Sequence, residues 1–439
     1  MMTRQRVGII LLSGLFLWLL GGCASGGGVE PTAVAQATVA ATETAAPATA
    51  TATATVMPTE TPEPTATDLP TATPTETVMP TETPEPTPAI DVSELIYRPL
   101  IAYRGSVERV GLFETTPATA GTLLWQFETE NEVHSSPAVV DGVLYFGNDG
   151  GFLFALDAAD GRELWRFDTG GKIFSSPTVV DGVAYVGSES GFFAVETSSG
   201  TLLWQMVPDD NAKRMRSSAV FVDGVVYVGS DAGVLYALDG ETGVALWQFD
   251  SGRSMLASPA VANGRLYFGN EAGVFFALDL ATGDELWRFE TSQPFYASPA
   301  VAYGLVFVGG LDRVFYAFDA DSGEVVWQRQ MGRQFVGSAA VAEGVVYVGN
   351  LDQSFFALNA QTGETLWATR ARLEIYGSAA VAGDVVYVGS DDRNLYAIER
   401  HSGDVLWRYE TDGFVGSSPF VVDGVVYFGS YDGSVYAVR

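Results

Sequence analysis

Eight tryptophans recur along this chain at nearly fixed spacing: Trp125, Trp165, Trp204, Trp247, Trp287, Trp327, Trp367 and Trp407. The steps are 40, 39 and 43 residues, then 40 to the end. Each tryptophan has a glycine four residues before it. Eleven residues after nearly every one stands a serine: Ser136, Ser176, Ser258, Ser298, Ser338, Ser378 and Ser418. In the third copy a three-residue insertion displaces the serine to Ser218. A period of about forty residues overrides the two or three domains that length alone suggests, because repeat folds grow by copying one unit.

Each unit reads as four short strands. From Ser135 the chain runs "SSPAVVDGVLYFGNDGGFLFALDAADGRELWRFD". Here "SPAVV", "VLYFG", "FLFALD" and "RELWRF" are strands A to D, and "DG" is a two-residue type I′ hairpin signal. Asp-Gly recurs at 141–142, 181–182, 223–224 and 423–424, and Asn-Gly at 263–264. Four antiparallel strands per repeat are the signature of a β-propeller. Strand A is rich in Ser, Ala and Gly, and strand D carries the tryptophan. Small residues suit the crowded hub, and the indole suits the widening gap between blades. The glycine before it allows the tight turn into strand D. The first tryptophan strand, 121–129, has no A, B or C partner before it, and the chain stops in "SVYAVR", a strand C without its D. The expectation is an all-β, eight-bladed propeller of four-stranded antiparallel blades, closed by the N-terminal strand completing the last blade.

The ring spans 121–439, behind an N-terminal extension at 90–120. Residues 1–22 have basic Arg4 and Arg6, then the apolar run "VGIILLSGLFLWLL". That run is short for a membrane span and fits an export signal. "LGGC" follows, and Cys23 is the only cysteine of the chain. This resembles the lipobox of bacterial lipoproteins, which implies lipidation at Cys23; Ala24, not Asp, comes next. Residues 23–89 are Thr/Pro/Ala-rich, with "TVMPTETPEPT" at 55–65 and again at 77–87. Such a segment cannot build a core and is expected to be a disordered, partly polyproline tether. The net charge of −30 argues against nucleic acid and against adhesion to anionic lipid, leaving the lipid anchor as the membrane contact.

The segments "ALDAADGRELW", 155–165, and "ALDLATGDELW", 277–287, resemble the docking motif of pyrroloquinoline-quinone (PQQ) propeller repeats. In that motif Asp157, Asp239, Asp279 and Asp319 match the acidic position, with Glu196, Asn359 and Glu399 as departures. The third strand before Glu196 is one residue short. The resemblance implies that these residues and the eight tryptophans dock blades together. The family includes quinoprotein dehydrogenases, the outer-membrane assembly lipoprotein BamB and surface propellers of other kinds.

Catalytic signals are sparse. His134 and His401 have no metal-ligand spacing between them, and no P-loop, GxSxG or HExxH occurs. The B–C stretches "NDG", "SES" and "SDA" read as turn chemistry. The expectation is a monomeric, non-catalytic scaffold with no metal and no cofactor, exported and lipid-anchored in the cell envelope, outward-facing or periplasmic. It would bind a protein, peptide or glycan. The alternatives are a PQQ- and Ca²⁺-dependent dehydrogenase and a BamB-like assembly factor. In a propeller the D–A and B–C loops share one face. The D–A segments there carry Lys172, Arg216, Arg253, Arg333 and Arg372, a candidate face for an anionic group.

Overall fold

The computed structural model describes residues 105–208 and 214–439. The signal segment, Cys23, the tether and residues 90–104 of the extension lie outside the described residues. The described chain forms eight blades of four antiparallel strands. In the first blade the strands are Ala138–Val140, Val143–Gly147, Phe152–Asp157 and Glu163–Asp168. The hairpin between the first two has Asp141 and Gly142 both at positive φ, as a type I′ turn requires. Tyr303 and Glu343 adopt the same left-handed conformation without the usual Asn or Asp. Tyr303 is tied down there by its hydroxyl, which accepts the Gly344 amide.

The ring closes as the chain ends imply. Leu123–Glu128 pairs antiparallel with Ser434–Val438, placing Trp125 opposite Ala437. Thr122 and Arg439 exchange two backbone hydrogen bonds at 2.8 and 2.9 Å. The residue missing before Glu196 is lost from the B–C turn and not from the strand, which keeps its full length as Gly191–Glu196. Glu189 and Ser190 alone bridge to it from Val183–Ser188.

Each tryptophan crosses to the next blade. Trp165 donates its indole N–H to the carbonyl of Thr197 at 2.7 Å, and Trp327 to that of Ala360 at 2.8 Å. The strand-B tyrosine reaches the same carbonyl: Tyr267 and Trp287 share the oxygen of Ala320. The repeat glycine has a second purpose beyond its turn. A Cβ on Gly161, at φ +75°, would lie 2.7 Å from the Trp125 ring of the preceding blade, so only glycine lets the indole lie flat on it. The motif carboxylates act one step back. Asp279 accepts the amides of Ala281 and Thr282, and Asp319 those of Asp321 and Ser322. These bonds hold both carboxyls below the usual range. They cap the C–D turn whose carbonyl receives the neighbour's tryptophan, and do not themselves cross between blades.

The repeat serines form a belt around the hub. The backbone N–H of Ser418 donates to the Ser136 hydroxyl, Ser136 to Ser176, Ser176 to Ser218, and so on through Ser258, Ser298 and Ser338 to Ser378. The distances are 2.8–3.0 Å. Serine is therefore required twice over: it is small enough for the hub, and its hydroxyl satisfies an inner-strand amide that has no ladder partner.

The N-terminal extension does more than lead into the ring. The carbonyls of Val107, Glu108, Val110 and Gly111 accept the amides of Val261, Val301, Val341 and Val381, one inner strand after another. Leu112–Phe113 then adds a short parallel pairing to Ala380–Ala382. Four consecutive blades thus have their open inner edges covered. Arg109 is fully buried at φ 56°. Its guanidinium donates to the carbonyls of Ser218 and Ala219 at 2.9 Å each, and to that of Pro259. Replacing Arg109 by Met would strip those carbonyls of a charged donor inside the hub. The expected cost is about 3 kcal/mol, read as a lower urea midpoint at unchanged slope. An unaltered midpoint would show that the segment is not fixed in the channel.

Candidate functional site

The D–A segments and B–C turns do share one face. In all eight blades the B–C turn donates a backbone amide to the D–A segment: Asp149 to Glu132, Glu189 to Lys172, Asp231 to Arg214, Glu271 to Ser254, Leu311 to Pro294, Leu351 to Gln334, Asp391 to Glu374 and Tyr431 to Phe414. These bonds build a collar around the mouth of the channel, on the side opposite the A–B hairpins.

The collar is not eightfold. Its B–C position is acidic at Asp149, Glu189, Asp231, Glu271 and Asp391, but Leu311 and Leu351 occupy the fifth and sixth blades and Tyr431 the eighth. The acidic residues do not serve their turns. The residue before each does that: Asn148 Oδ1 accepts the Phe152 amide, and Ser230 Oγ the Val234 amide. Asp149, Glu189 and Asp231 face cations instead, at Lys172, Arg214 and Arg216, and reading these stretches as turn chemistry alone misses that. The signal lay in a B–C position that is acidic in five repeats and leucine or tyrosine in the other three.

The candidate anionic-ligand residues are interleaved with these acids. Lys172 Nζ lies 2.6 Å from Asp149 Oδ2, and Arg216 Nη2 lies 2.6 Å from Asp231 Oδ2. Arg333 Nη1 sits 3.5 Å from Glu374. The backbone of Arg372 donates to Asp392, while Arg253 is exposed, with no ion pair among the described residues. Across from Arg253 the carboxyls crowd. Burial, with Glu374 and Asp392 adding to it, pushes the Asp391 carboxyl up to about 7.

One corner gathers more chemistry than the rest. His134 packs against Tyr431 with ring centroids 4.1 Å apart and planes inclined at 44°, and meets Phe174 at 5.2 Å. Its Nε2 lies 3.1 Å from Glu132 Oε2 and 3.7 Å from Asp149 Oδ1. An open cleft of about 400 Å³ adjoins this corner, lined by Glu132, Asp149, Lys172 and Tyr431 among others. His401 stands elsewhere, near Asp384.

The family profile of the outer membrane protein assembly factor BamB, built of PQQ-type repeats, matches residues 109–248, 193–297, 272–377 and 357–439. The chain belongs to this PQQ-repeat propeller family. Comparison with curated proteins finds no significant match. Among solved structures, the PQQ-repeat propeller is similar to BamB from Moraxella catarrhalis, with 19% identity and a TM-score of 0.63 over 73% of this chain and 100% of that one. It is similar to the quinohemoprotein alcohol dehydrogenase from Comamonas testosteroni, with 14% identity and a TM-score of 0.67 over 77% and 80%. The computationally designed protein Ika8 is a third, with 16% identity and a TM-score of 0.65 over 74% and 99%. At these identities the likeness shows the fold alone.

The charges of the collar bear on whether a quinone such as PQQ would be held at this face. PQQ is a flat tricarboxylate. The mouth already crowds carboxylates enough to raise Asp391, and its inner cations Lys172 and Arg216 are neutralised by Asp149 and Asp231. A further trianion would meet the same repulsion.

Proposed function

We propose that this protein is a non-catalytic binding scaffold of the cell envelope, tethered through a lipid on Cys23, which presents the D–A/B–C collar to a protein, peptide or saccharide partner. The asymmetry of the collar supports this reading. Eight repeats that share one strand pattern differ in chemistry around the collar, with acid–base pairs on one arc and Leu311, Leu351 and Phe414 on others. A scaffold needs that variation only where it meets a partner. The channel beneath is occupied by Arg109 and its segment, so a ligand approaches from the collar side.

The test is a photo-cross-linking residue placed at Phe414 or Arg253 on the collar, and at Leu286 on the outer rim, in the producing cell. Phe414 and Leu286 are comparably exposed, at 44% and 46%, so reactivity reports the partner and not accessibility. Discrete adducts from the collar positions are expected, and Cys23→Ser should release the protein from the membrane fraction. Adducts from the rim alone would remove the collar as the binding face. A membrane-bound Cys23→Ser protein would remove the lipid tether.

A further inference from the structure

We infer that Glu132, His134 and Asp149 form a binding site for a divalent transition-metal ion of the zinc type at the channel mouth. The ligand atoms of the three side chains lie within 4.8 Å of one another. Two ligands on a tetrahedral zinc, each bonded at about 2.0–2.1 Å, stand roughly 3.4 Å apart. The distances from His134 Nε2 to Glu132 and to Asp149, 3.1 and 3.7 Å, bracket that separation. An ion would need shifts of only a few tenths of an ångström at these two contacts; the third pair, Glu132 and Asp149, stands up to 4.8 Å apart and must draw together further, a movement that the exposed Glu132 side chain supplies.

A second observation points the same way. Asp149 Oδ1 is buried and has no hydrogen-bond partner, because the imidazole nitrogen is just too far to supply one. The side chain is only 11% exposed. Leaving a carboxylate oxygen unsatisfied at that depth is costly unless something is meant to bind it. The other oxygen of Asp149 is held by Lys172 at 2.6 Å, which fixes the carboxylate and aims Oδ1 at the imidazole, as outer partners of metal ligands commonly do. Tyr431 and Phe174, both packed against the His134 ring, restrict its rotation. The adjoining cleft leaves room for a water or a ligand atom in a fourth position.

One imidazole with two carboxylates selects within the divalent ions. Nitrogen favours zinc and its transition-metal neighbours over calcium and magnesium, which prefer oxygen alone. The site stands independently of the scaffold reading, since it uses only these residues and their geometry.

The experiment is calorimetric titration of the full chain carrying Cys23→Ser, so that no thiol competes, with Zn²⁺ and separately with Ca²⁺. One equivalent of Zn²⁺ per chain is expected. Both His134→Ala and Glu132→Gln should weaken it at least ~10-fold, whereas His401→Ala should leave it unchanged. Glu132 is 55% exposed, so its substitution keeps the fold intact even if His134→Ala disturbs packing. Co²⁺ in place of Zn²⁺ should give visible absorption of a tetrahedral site, lost in the Glu132→Gln chain. Absence of saturable Zn²⁺ binding, equal affinity in all variants, or calcium binding with the same dependence on His134 would each overturn the assignment.

Discussion

A chain from which residues 121–129 have been deleted is expected to lose its monomeric state. Those residues contain Leu123–Glu128, which fills the outer position of the last blade against Ser434–Val438. Without them that strand presents a complete row of unpaired amides and carbonyls, a template for another chain. The deletion also removes Trp125, whose indole donates at 3.0 Å to Ala158 of the first blade, and Gly121, on which Trp407 of the seventh blade rests. Two blade interfaces therefore fail with one strand. Size-exclusion chromatography should show aggregate, and any residual monomer should melt at least about 10 °C below the parent. A truncated chain that elutes as a monomer with an unchanged melting temperature would sink the closure of the ring.

Trp287→Ala is expected to cost about 3–5 kcal/mol, the range for emptying an aromatic core site. Trp287 is one of the two best-buried repeat tryptophans, with 9% of its surface exposed. Its ring lies 6.0 Å from each of Tyr267, Phe275 and Phe318, and its N–H meets the carbonyl of Ala320. Alanine would leave a void bounded by Gly323, which has no side chain to fill it. Denaturant unfolding measures the loss directly. Stability equal to the parent's would mean that the indole is not the wedge between the fourth and fifth blades.

The ring was legible in the sequence because a propeller advertises itself by period. The tryptophan and its glycine report a local backbone need repeated eight times, and the Asp-Gly turns report one repeated at four hairpins. A lone strand D at one end, and a strand C without its D at the other, implied the closure. The belt serines were visible as a period, but not their purpose, since each meets a backbone amide some forty positions away. Arg109 was hidden for a similar reason. Its partners are backbone carbonyls of Ser218, Ala219 and Pro259, and no side-chain pattern marks a carbonyl as waiting for a guanidinium. The role of the motif carboxylates needed coordinates too: Asp279 looks like a docking residue in the motif, yet it organises its own turn. At the candidate site, His134 and Glu132 stand two apart in sequence, but Asp149 joins them only through the B–C hairpin.

Closing the ring with the first strand also sets a clock. Gln126 and its cross-strand partner Tyr436 are 310 positions apart. At about 5–20 residues per second, the first strand would wait roughly 15–60 s after its own synthesis before its partner exists. Through that interval the last blade cannot form, and the preceding one lacks the neighbour its Trp407 rests on. An unfinished chain therefore has no way to imitate a finished one. Completeness of the ring is checked by the architecture itself, at the moment Ser434–Val438 arrives.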